Sequence, residues 1–170
     1  MMPIIALSEE RCPDFERHKV MESGHSKGYS PTMAHIHQST MALRFFGDDL
    51  DPEEITARLK HPPSFSARKG ETWMTKSGQD RVARTGSWRL NAPDRMPGDL
   101  DGQIIDLFAS LGTDLAAWEN LAERFSGNLF CGLFMNESNE GLTLSAKTMK
   151  ELAFRGLVLH LDIYDPTGED

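Results

Sequence analysis

His160 and Asp162 stand two residues apart in VLHLDIY, a run whose alternation reads as a β-strand, so both side chains project from one face. A carboxylate beside an imidazole can orient the ring and raise its pKa, as general-base chemistry requires. A second group of ionisable side chains, Asp48, Asp49, Asp51, Glu53 and Glu54, is crowded between Gly47 and Ile55. Carboxylates at that density repel one another unless a cation neutralises them or a helix N-terminus accommodates them. Asp48, Asp49, His160 and Asp162 would form a divalent-metal site if the loop and the strand met. The spacing is not that of an EF-hand, and no nucleophile motif, phosphate loop or zinc pattern occurs. No cofactor is implied. The plainer account makes the acidic run a helix start and the His–Asp pair part of a solvated sheet face.

The elements that would position these residues centre on TMALRFFGDDLDPEEITARLK, residues 40 to 60. Met41, Leu43 and Phe45 alternate with Ala42, Arg44 and Phe46, the pattern of a central strand with two mostly apolar faces. Asp51 is placed as N-cap, Pro52 as the first helical residue and Glu54 as the reciprocal member of a capping box, with Leu50 and Ile55 as a hydrophobic staple. FSARKGETW, residues 65 to 73, and RTGSWRL, residues 84 to 90, read as a strand hairpin. Trp88 and Leu90 share a face with Gly86, where a small residue lets another group lie across the strand.

Asp99 or Asp101 then caps a helix bearing Ile104, Leu107, Phe108 and Leu111, and Gly112 ends it. Thr113 or Asp114 opens the next helix, with Leu115, Trp118, Leu121, Ala122 and Phe125 as its buried stripe and Gly127 as its end. LFCGLFM, residues 129 to 135, is a second central strand. Ser145 caps a helix stapled through Leu144 and Met149 and ending at Gly156, before the strand that carries His160. The order is βαββααβαβ. It predicts an α+β fold with a ferredoxin-like βαββαβ core and an added αβ unit, a mixed sheet with helices mainly on one face. The expected organisation is an irregular extension over 1–39, a single domain over 40–165 and an exposed tail over 166–170. Met33 is a candidate alternative initiator, and His25, His35 and His37 read as tail histidines because no further ligands stand at metal spacing.

Composition bounds the function. The 170 residues carry a formal net charge of −8, so bulk electrostatics disfavour nucleic acid as a partner. The stretch from Arg58 to Arg95 holds nine Lys/Arg and three Asp/Glu, a local balance of +6. It either meets an anionic ligand or complements acidic helices of the same fold. No apolar run approaches a membrane span, and the opening MMPIIALSEERC lacks signal-peptide character. Cys12 and Cys131 have no metal or redox spacing and read as reduced, cytoplasmic thiols.

The pieces LRFFGDDLDPEEITARL, KGETW, TGSWRL, LFCGLF and LHLDIYD together resemble a bacterial domain-of-unknown-function family, number four-two-seven-nine, over roughly residues 40 to 165. The helix end LKHPP departs from the family's leucine–glycine ending. The resemblance implies a fold and a cytosolic compartment and transfers no catalytic residue.

Two functions follow as expectations. The first is a non-enzymatic module that binds a protein or small molecule through the sheet face and loops, in one version an immunity-type protein that neutralises a basic toxin. Its expected surface comprises Asp48, Asp49, Lys69, Trp73, Trp88 and Tyr164, although Trp73 and Trp88 suit core or hairpin-pair positions better. The second is a metal-assisted hydrolase built on Asp48, Asp49, His160 and Asp162.

Overall fold

A computed structural model of the protein describes residues 35–75 and 77–166. The expected extension up to residue 34, with His25 and Met33, lies outside the described residues, as does the tail from residue 167.

Strand β1 (Gln38–Gly47) occupies the middle of a five-stranded sheet of order β2-β5-β1-β6-β7. Its partners are β5 (Gly86–Asn91) and β6 (Ser126–Phe134), both antiparallel to it. The short β2 (Phe65–Ala67) lies antiparallel to β5, and β7 (Val158–Tyr164) lies parallel to β6 at the other edge. β1 and β2 therefore run the same way with β5 between them, a split βαβ unit closed by helix α1 (Pro52–Leu59). The fold is α+β with a mixed sheet, as expected.

The alternation of β1 divides the molecule. Met41, Leu43 and Phe45 are buried, whereas Ala42, Arg44 and Phe46 are half-buried. The buried set joins Trp88 and Leu90 of β5 and Leu129, Cys131 and Leu133 of β6 in one core. Helix α1, helix α2 (Leu100–Ala109), helix α3 (Leu115–Arg124) and helix α4 (Ala146–Phe154) all contribute side chains to that core. At its centre Phe45 meets Trp88 edge-on at 6.3 Å and Trp118 at 6.2 Å, and Phe108 meets Trp118 at 6.0 Å. Such pairs contribute about 0.5–1.5 kcal/mol each beyond the area they bury. Among the described residues no helix is long and apolar enough to cross a membrane.

The helix starts follow side-chain chemistry. Asp51, Asp99, Asp114 and Ser145 each accept a backbone N–H of the turn they open. Leu50 and Ile55 are both buried, as a staple requires. Glu54, however, does not close a capping box: Arg124 draws it away, donating from both terminal nitrogens at 2.6 and 3.0 Å, with Arg58 Nε at 2.9 Å. Met149 is 52% exposed and is not a buried staple partner.

Four further expectations are corrected. The expected strand over 65–73 breaks after Ala67, because Arg68–Glu71 forms a turn (Glu71 N–H to Arg68 O, 3.0 Å) with Gly70 at φ 82°. The chain then leaves the sheet, and β3 (Thr72–Met74) pairs with β4 (Asp80–Val82) as a separate hairpin. Gly112 and Gly127 are packing residues and not helix ends. A Cβ on Gly112 would stand 2.8 Å from Arg58 O, and one on Gly127, inside β6, 2.8 Å from Phe45 Cε1. The folded unit also begins before Thr40: Ile36 and Ser39 are buried, and the Ser39 hydroxyl donates to Gln103 Oε1 at 3.0 Å.

Candidate functional site

The sheet face opposite the helices is built by the residues that alternate with the core. One row crosses four strands in register: Phe65 of β2, Arg89 of β5, Arg44 of β1 and Asn128 of β6. Arg44 Nε donates to Asn128 Oδ1 at 2.9 Å, and the guanidinium lies 4.1 Å from the Phe130 ring centre and 5.7 Å from that of Phe46. Packing between rings fixes the side chain and partly strips its water. Burial, then the neighbouring Arg89 charge, pull the Arg44 pKa below its ordinary value, with Asp162 acting in opposition. Two like charges directly opposite on a sheet repel. Neither arginine forms an ion pair among the described residues.

Beside this row the β3–β4 hairpin and the sheet border an open cleft of about 660 Å³. Its walls include Phe46, Phe65, Trp73, Arg81 and Arg84. Phe65 and Trp73 meet edge-to-face at 4.9 Å, tying the hairpin to the sheet. Trp73 and Arg81 are cross-strand partners.

His160 and Asp162 do share the face opposite the helices, exposed on β7. Tyr164, on the same side, stacks on Phe134 with centroids 4.7 Å apart. Asp48 and Asp49 are not brought to them. His160 is in register with Phe130 and Ala42, six residues before Asp48, roughly 20 Å along the strand, with β6 interposed. Asp48 instead pairs with Lys69, which holds its carboxyl below the usual range, and Arg68 bridges Asp51 and Glu53. The basic segment thus neutralises the acidic loop of its own fold. No three His, Cys, Asp or Glu residues among those described come together as a metal site.

Of the other expected surface residues, Trp73 lines the cleft, and Lys69 is taken up by Asp48. Trp88 is a correction. It is fully buried against Phe45, with its ring N–H donating to Thr56 Oγ1 at 3.1 Å, so it faces no ligand. The sequence reading missed Arg44, Arg89 and Asn128. The signal lay in the parity of β1, which sets Arg44 on the face away from Leu43 and Phe45.

No curated protein and no solved structure matches the chain. The family model described as Domain of unknown function (DUF4279) matches residues 37–166, nearly the whole described unit, and the chain belongs to that family.

Proposed function

We propose that this domain is a non-enzymatic binding module, and that its ligand or partner presents an anionic group to Arg44 and Arg89 on the sheet face opposite the helices. The observation that carries this reading is the cross-strand arginine pair, neither member in an ion pair among the described residues, while aromatic rings restrain Arg44. A bound anion would remove the repulsion and accept charge-assisted hydrogen bonds from both guanidinium groups. His160 and Asp162 border the same surface and would supply hydrogen bonds to the remainder of the ligand, while Asn128, buried beneath it, holds Arg44. The toxin-neutralising version draws only on net charge, whereas this face offers positive charge, so an anionic ligand is the better match.

The test is thermal unfolding of the full chain with pyrophosphate against chloride at matched ionic strength, in wild type and in the Arg44→Gln/Arg89→Gln double variant. At ten times Kd, mass action adds about 1.4 kcal/mol, a rise of about 3–5 °C for a chain of this size. The double variant should show no such rise. Equal responses in both proteins would reflect general salt exclusion and overturn the reading.

A further inference from the structure

We infer that the ligand is a small anion bearing a flat aromatic ring, with the ring received in the cleft between the β3–β4 hairpin and the sheet. This deepens the anion-binding reading and rests on it. The cleft and the arginine row are contiguous: Phe65 lines the cleft and lies directly opposite Arg89, and Phe46 lines it two residues from Arg44 on the same face of β1. An anionic group on the arginine pair therefore leaves the rest of a small ligand over Phe46, Phe65 and Trp73.

The cleft's chemistry suits a ring. Three aromatic side chains line it, each half-buried, with Phe65 and Trp73 packed edge-to-face, and apolar rings of this kind pack favourably against another ring. Arg81, opposite Trp73, donates to Gln79 Oε1 at 3.4 Å, and neither Arg81 nor Arg84 forms an ion pair among the described residues. Planar guanidinium groups of this kind stack on rings and bind anionic oxygens. A volume of about 660 Å³ lies within the usual range for small-molecule sites. A nucleic-acid polymer fits poorly, since the net charge of −8 repels it while a single anionic group meets only the local arginines.

In two other clefts the arginine is already engaged within the fold. In the one of about 330 Å³ beside α2, Arg95 is held by Asp99 and Asp106, and Gln103 by Ser39 and Pro93. In the one of about 230 Å³ between α2 and α4, Arg155 is held by Glu151 and stacked on Phe108.

The full chain is titrated with inorganic phosphate, phenyl phosphate and adenosine monophosphate, followed by calorimetry and by tryptophan emission. Trp88 and Trp118 are fully buried, which leaves Trp73 to report on the cleft. The two ring-bearing anions should bind about tenfold or more tighter than phosphate and quench emission saturably. Trp73→Ala should reduce their affinity to that of phosphate without weakening phosphate itself, and Trp73→Phe should keep the affinity while losing the quench. Equal affinity for phosphate and the ring-bearing anions, or an unchanged Trp73→Ala, overturns the ring site while the anion-binding reading stands. No binding of any of the three overturns both.

Discussion

Arg44 and Arg89 face each other directly across β1 and β5, and neither has a carboxylate partner within the described residues. Opposed like charges in a sheet cost about 0.2–1 kcal/mol, a cost that folding alone gives no reason to keep. Arg89→Gln should therefore leave stability unchanged or raise it by up to about 1 kcal/mol, measured by urea unfolding in chloride buffer. A clear loss of stability would mean that Arg89 has a structural role.

Thr56 links α1 to the sheet. Its hydroxyl accepts the Trp88 ring N–H at 3.1 Å and donates to Pro52 O at 2.8 Å. Thr56→Val keeps the shape and strands the indole N–H in the core, which should cost about 1–3 kcal/mol. The slope of the urea transition should not change, since the same surface is exposed on unfolding.

Glu54 carries a pH signature. Hydrogen bonds from Arg124, helped by Arg58 and opposed by partial burial, hold its carboxyl below the ordinary value of 4.5. A depressed folded-state pKa adds stability that is complete above pH 4.5 and is lost as the pH falls through the folded value. The gap in melting temperature between wild type and Glu54→Gln should accordingly be widest near neutrality and narrow below pH 4.5. A gap that persists undiminished at pH 3 would contradict the assignment.

Arg155 is 95% buried, its guanidinium 4.3 Å from the Phe108 ring centre and 5.3 Å from that of Trp118, with Nε unpartnered. Glu151 supplies both a side-chain and a backbone acceptor. Arg155→Met fills the same space without a charge to desolvate and should be near neutral, within about 1 kcal/mol. Glu151→Ala leaves the buried charge without its partner and should be clearly worse, by about 1–3 kcal/mol. The order of the two variants in thermal melts is the check.

The sequence carried local instructions well. Asp51 and Ser145 cap helices where their spacing says they should, Asp114 is the cap where the spacing allowed Thr113 or Asp114, and Trp118 is buried as its helical position requires. What depended on distant partners was not legible. Gly86, Trp88 and Leu90 share a face by parity, but only the packing of the helices makes that face the core side. The separation of Asp48 from His160 follows from strand order, which places β6 between their strands. The break at Gly70 was visible as a residue and not as a break, since a glycine suits a bulge as well as a turn. Arg44 was passed over because a central strand was expected to be apolar on both faces, and here one face is lined by an arginine and the rings that hold it.

The most direct measurement of the central claim is the side-chain Nε–H spectrum of the arginines, recorded by NMR while pyrophosphate is added. The Arg44 and Arg89 signals should move together along one saturating curve, while those of Arg58 and Arg124, already engaged by Glu54, stay in place. A uniform, non-saturating drift of all arginine signals would show that Arg44 and Arg89 do not form an anion site.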